Sequence, residues 1–152
     1  GVLKQVREGD HLLFLARLVR WHEAERSWGE PGFYVVGYTV VEEIIRDVDG
    51  DTPRRHLRRM GRNAHVQRLD TPLGVPGFTV FRGSSESRLL TKPLPFGRSL
   101  ADRVMRDRDG NRWEWDPSRS DLQVIGSYTR SVRMIDDPRR AATLIGMVRR
   151  QP

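Results

Sequence analysis

Gly9–Arg46 reads GDHLLFLARLVRWHEAERSWGEPGFYVVGYTVVEEIIR, and this stretch decides the fold. Its first run is almost wholly apolar from Leu12 to Val19. The second, Pro31 to Arg46, interleaves β-branched and aromatic residues, which pack on a pleated surface better than on a helix. Together they predict a pair of long strands. Along the second, Tyr34, Val36, Tyr38 and Val40 alternate with Phe33, Val35, Gly37, Thr39 and Val41. Neither set is polar, so both faces are expected to be covered, as in a small closed or half-closed barrel with helices outside. Gly37 in mid-strand marks a bend, a bulge or the close approach of another backbone or a ligand, and a barrel bend is the expected one.

The connector Trp21–Gly32, WHEAERSWGEPG, is polar and rich in breakers, and reads as a loop. Its Trp21 and Trp28 either fold back over the barrel end or wall a ligand site, since indole rings are rarely left wholly in water. Two such rings facing one another would sandwich a base.

The chain has 152 residues, enough for one domain with its own core over 1–152. Hydrophobic residues make up 37% and charged residues 31%, a globular balance without a membrane-length apolar run. Cysteine is absent, which removes disulfides, thiolate catalysis and thiolate metal sites together. No signal-peptide pattern opens the chain, so the cytoplasm is the expected compartment. The formal charge is +7, and every basic residue except Lys4 and Lys92 is arginine. Arginine's planar fork suits phosphates and base edges, so a polyanion, DNA or RNA, is the expected partner. An arginine-heavy composition is also what a GC-rich genome produces.

Outward from the strand pair, Asp47–Asp51 (DVDGD) is spaced like the start of a calcium loop but lacks its glutamate, and reads as a solvated turn. Thr52–Arg68 carries the densest positive charge. Thr52 and Pro53 are a helix start and Gly61 a stop, with Arg54, Arg55, Arg58, Arg59, Arg62 and Arg68 around the segment. Such a run contacts phosphates or is simply a solvated face. Asn63 carries the donor and acceptor needed to read a base edge, or caps the next turn; His65 is a structural histidine or a catalyst. Gly74–Leu90 opens as a strand and breaks at Gly83, where Ser84, Ser85 and Ser87 join Arg82 and Arg88 in a hydroxyl and guanidinium cluster. Such a cluster suits a phosphate, although serine-rich turns also occur without ligands.

Lys92–Gly97 is stiffened by prolines and extended, and Ser99–Arg108 reads as a short helix. Asp107–Asp116 predicts a turn at Asp109 and Gly110 leading to a short strand, on which Trp113 and Trp115 share a face. Asp121–Ile135 fits helix or strand. The terminal segment is an amphipathic helix, capped by Asp136 or Asp137, with Pro138 in its first turn and Ala141, Leu144, Ile145 and Val148 as its apolar stripe. The fold class is therefore α+β with a mainly antiparallel sheet.

Catalytic motifs do not emerge. There is no glycine-rich phosphate loop, no histidine pair at metal spacing and no nucleophile elbow. Of Glu42 and Glu43, one faces inward if the barrel closes there and would be a candidate general base; the expected reading is that the strand has reached its rim, where both are solvated. No cofactor is expected.

The segments GDHLLFLARLV, GFYVVGYTVVEEI, NAHV and FTVFRGSSESRLLTKPLPF together resemble the PUA-like superfamily of EVE, ASCH and YTH domains, closest to the nucleotide modification-associated domains, over Gly9–Phe96. The resemblance implies a small β-barrel with flanking helices and a pocket for a flipped modified base or a single-stranded RNA nucleotide. Trp21, Trp28, Tyr34, Trp113 and Trp115 are the residues available for its aromatic cage. The leading expectation is a non-catalytic reader: Arg58, Arg62 and Arg68 on phosphates, aromatic rings stacked on the extruded base, and Asn63 with Ser87 or Arg88 on its edge. The alternatives are an ASCH-like, metal-independent ribonuclease using His65 with an arginine or lysine, and a protein-interaction domain. A larger restriction or modification system is a possible setting for the reader.

Overall fold

The longest element is one strand. In the computed structural model, which describes residues 1–72 and 74–152, β2 runs 22 residues from Ser27 to Val48. Everything else is arranged along it. β1 (His11–His22) pairs antiparallel with its first half. β3 (Phe78–Gly83) and β4 (Arg88–Pro95) are also antiparallel to β2, opposite Val41–Val48 and Tyr34–Tyr38 respectively. Val40 turns its N–H and C=O toward Ser87 and Ser84, while Val41 turns its own toward Asp10 and Gly9. β3 and β4 thus follow one another along the edge of β2 opposite β1. The sheet is three courses wide and open, because its outer courses are not hydrogen-bonded to each other.

The expected Trp21–Gly32 loop is instead continuous hairpin. β1 continues to His22 and β2 starts at Ser27, leaving only Glu23–Arg26 as the turn, with Arg26 at φ 48°. Trp21 lies opposite Trp28, and this aromatic cross-strand pair favours pairing over the breakers around it. Pro31 is tolerated because β4 reaches only as far as Tyr34, so this part of β2 pairs on one side alone. Beyond Tyr34 the hairpin is a two-stranded arm.

Gly37 has the close-approach role. A Cβ there would stand 2.8 Å from the Arg88 carbonyl oxygen and 3.1 Å from Leu89 Cα. Both neighbouring strands slip register against β2 between Val35 and Gly37. This slip changes the expected alternation: Val35 and Tyr38, placed on opposite faces by simple counting, enter the same core.

That core lies between the sheet and three helices, α3 (Arg98–Val104), α4 (Asp121–Tyr128) and α5 (Pro138–Arg149). It gathers Leu94, Phe96, Val104, Trp113, Ile125, Leu144 and Val148 around Val35 and Tyr38. Each such side chain contributes about 1.5–3 kcal/mol by leaving water. The segment left ambiguous by periodicity becomes helical because Ser120 and Gln123 form a reciprocal capping box, and α4 stops at Tyr128. Asp137 caps α5, with its side chain accepting from Arg140 N, and Pro138 follows. No strand forms around Trp113 and Trp115; Asp107 instead closes a local turn by accepting from Asp109 N and Asn111 N.

A second, smaller cluster sits at the far end of β2. Val48, Met60 and Val80 are buried there, with Leu57, Val66, Leu69 and Phe78 packed around them. It holds down α1 (Arg54–Arg59) and α2 (Ala64–Gln67). Thr52 is not the cap of α1: its hydroxyl accepts from Asp49 N within the Asp49–Thr52 turn, and Pro53 occupies the capping position. Among the described residues no helix is long and apolar enough to cross a membrane.

Candidate nucleic-acid interface

The residues singled out by sequence fall in separate places. At the far end of β2, Leu57, Val66 and Leu69 turn inward, leaving Arg58, Arg62, His65 and Arg68 exposed. None of these three arginines is ion-paired among the described residues, whereas Arg59 reaches Glu43 at 3.2 Å. Asn63 is a cap: its Oδ1 accepts from His65 N at 2.9 Å and Val66 N at 3.3 Å. Its acceptor is thereby committed to backbone. The His65 ring stands 5.6 Å from Phe78, tilted.

Ser87 and Arg88 hold the fold together. Ser87 Oγ accepts from Val40 N at 3.0 Å, bridging the break between β3 and β4. Arg88 lies 5.9 Å over the Tyr38 ring and donates to the carbonyls of Arg149 and Gln151, both at 2.8 Å. It thus binds orphan carbonyls at the end of α5. Beside it Arg149 pairs with Glu86 at 2.6 Å and approaches His11 Nε2 at 3.3 Å. Burial first, and then the Arg149 charge, hold the His11 pKa below its ordinary value of 6.5. Arg82 is occupied by Glu43 at 2.8 Å and Glu42 at 3.0 Å, so the rim carboxylates serve as its ion-pair partners.

The aromatic residues divide between surface and core. Trp21 and Trp28 stand edge to face on the arm, 4.9 Å apart, which leaves no slot between them for a base. The Trp21 indole donates to Glu23 at 2.6 Å. Tyr34 lays its ring against Gly32, where a Cβ would come within 3.0 Å of it. Trp113 is 3% exposed and stacks on Tyr128 at 4.6 Å with the rings 4° from parallel. Its Nε1 has no hydrogen-bond partner among the described residues. Trp115 donates its indole N–H to Asp102 and carries Arg98 5.0 Å over its ring. Trp21 and Trp28 are beyond one end of the paired sheet, the arginine-rich segment is at the other, and Trp113 is under α4. One enclosed cage from all of them is therefore not assembled.

What the tertiary structure does build is an open groove of about 930 Å³ between the root of the arm and α4. Arg17 and Phe33, cross-strand partners, form one wall. Arg119, Ser120, Gln123, Gly126, Ser127 and Arg130, on and around α4, form the other. Three arginines share this lining, and no carboxylate does. Among the described residues none of the three is ion-paired, and Arg17 and Arg130 make no side-chain hydrogen bond. Arg119 spends one donor on the Gln123 carbonyl at 3.0 Å. Its neighbour Asp116 is engaged by Ser118 N at 2.8 Å and Ser118 Oγ at 2.7 Å. Those bonds are the main cause of the lowered Asp116 pKa, with Arg119 a smaller one.

Sequence reasoning passed over this groove. Arg17 carried a signal, as the charge that interrupts LLFLARLV. Arg119 and Arg130 carried none, because only the docking of α4 brings them to Arg17. Compared with protein-family models, with curated proteins and with solved structures, the chain matches none of them.

Proposed function

We propose that this chain is a non-catalytic nucleic-acid-binding module that holds phosphates in the groove between Arg17, Arg119 and Arg130. The observation that carries the reading is that three arginines, Arg17, Arg119 and Arg130, line one open groove of about 930 Å³ with no carboxylate in its lining. Guanidinium forks match phosphate oxygens in pairs, and such bonds are roughly twice as strong as neutral ones. Phe33 and Leu122 add apolar surface to the groove, while the Ser120 and Gln123 side chains in its lining cap α4 and the Ser127 hydroxyl donates to the Val124 carbonyl. The exposed Arg58, Arg62 and Arg68 at the other end of β2 add a diffuse positive field that steers a polyanion without choosing a sequence. In this reading the three-course sheet is the half-open barrel of a PUA-like fold, and the ligand is DNA or RNA presenting an unpaired or flipped nucleotide, modified bases included. A restriction or modification system is a setting in which such a reader would act.

The test is a salt titration of binding to labelled oligonucleotides, modified and unmodified, for the wild type and for Arg17→Ala, Arg119→Ala and Arg130→Ala. Each substitution is expected to reduce the slope of log K against log salt by about 0.7 for a single strand. A protein that binds no oligonucleotide at low salt rules the reading out. Equal affinity for modified and unmodified strands removes the modified base from it.

A further inference from the structure

The groove face does not end at Arg17. Val19 pairs with Pro31, and Trp21 with Trp28, so the register takes two residues on β1 against three on β2. The extra residue is in β2, and β1 keeps its two-residue alternation through Arg17, Val19 and Trp21. These three side chains lie on one face, with Arg17 already in the groove. Val19 is 42% exposed, Trp21 41% and Trp28 69%. An uncovered aromatic and aliphatic strip therefore runs from the arginine groove to the tip of the arm. The distance from Arg17 to Trp21 along the strand is about 13 Å, four residues at ~3.3 Å each.

A two-stranded ribbon of this kind is marginal in water by itself, and native proteins rarely leave large apolar side chains together on its surface without a use. The charge next to the strip chooses the occupant. A ligand lying along this face meets guanidinium groups at the root and ring surfaces at the tip, which is the arrangement that binds a single strand: charge along the backbone and a π-face for the bases. Because Trp21 and Trp28 contact each other edge to face, a base stacks on the outside of the pair. Duplex DNA or RNA keeps its bases stacked inside and has no use for such a platform.

Building on the phosphate-binding reading above, we infer that the groove and the arm form one track for single-stranded nucleic acid, with the Trp21–Trp28 pair as its terminal base-stacking platform. The experiment is fluorescence anisotropy with a labelled oligothymidylate and with a duplex of equal length, at two salt concentrations. The proteins are the wild type, Trp28→Ala, Trp28→Phe and Arg17→Ala, each checked for sedimentation and circular dichroism. Trp28→Ala is expected to weaken single-strand binding by roughly ten-fold, the loss of one stacked base, while leaving the salt slope unchanged. Trp28→Phe retains most of the affinity, and Arg17→Ala lowers the slope.

Wild-type affinity in Trp28→Ala, with Arg17→Ala still impaired, overturns the track and leaves the groove standing. Equal or tighter duplex binding, lowered as much by Trp28→Ala, also overturns it. Nucleic-acid binding unchanged in Trp28→Ala while a dimer dissociates makes the arm a contact between copies of the chain, which overturns it too. Failure of every oligonucleotide to bind the wild type removes the groove reading together with the track.

Discussion

Two pairs of aromatic residues end in opposite surroundings. Trp21 and Trp28 meet across the tip of a two-stranded arm and remain 41% and 69% exposed. Trp113 is 3% exposed and lies flat on Tyr128 beneath α4. The difference teaches that ring surface alone does not make a binding platform; what covers it does. α4 buries Val124 and Ile125 and lays Tyr128 flat on Trp113, while residues flanking it and on its outer side line the groove. Among the described residues no helix covers the arm in the same way, and β4 pairs with β2 only from Tyr34 onward. The buried pair therefore supports the wall of the groove, and the exposed pair keeps its ring surface in solvent.

The comparison breaks first at Trp113. Trp113→Ala is expected to cost about 3–5 kcal/mol in urea denaturation, through lost burial and the cavity left under Tyr128. A cost below about 1 kcal/mol means that the stack does not carry α4. A smaller effect is expected from Asp102→Ala, which leaves the half-buried Trp115 indole without its acceptor and should cost about 1 kcal/mol by the same measurement.

Gly126→Ala sharpens the same side of the comparison with the opposite sign. A Cβ there meets Phe33 Cζ at 3.6 Å, an ordinary contact, and alanine is a better helix former. A gain of about 0.5–1 kcal/mol is expected, and a loss means that the Phe33 ring cannot accept a methyl group. Trp28→Ala should change global stability least, by no more than about 0.5 kcal/mol, as for a surface site. Its consequence is local: amide exchange should quicken in Arg17–Gly32 and remain unchanged in the sheet beyond Tyr34. A large drop in global stability instead places the arm within the main cooperative unit and ends the contrast.

Much of this architecture was legible because it is written in short-range chemistry. The two long strands followed from β-branched and aromatic content, and the terminal helix from Asp137, Pro138 and its apolar stripe, whereas at Gly37 the sequence marked an irregularity for which a barrel bend was expected and the structure shows a close approach of β4. The Trp21–Gly32 segment was misread because its breakers outnumber its strand formers, and cross-strand pairing of two indoles cannot be seen along one strand. Counting alternation failed at Val35 and Tyr38 because a register slip moves every later side chain to the other face.

The candidate site was legible only in its materials. Charge and arginine content pointed to a polyanion, and exposed arginines on Arg58–Arg68 were anticipated from their density. Ser87, Arg88 and Asn63 had the right functional groups, yet Val40 N, the carbonyls ending α5 and the first amides of α2 claim them. The sequence by itself determined the cores of the two long strands and of β3, the terminal helix and the sign of the formal charge, since each depends on residues within a few positions of one another. Only the tertiary structure decided which arginines face a common groove and which tryptophans remain in water. Both depend on where α4 settles against β1 and β2, and that is set by contacts between residues about a hundred positions apart.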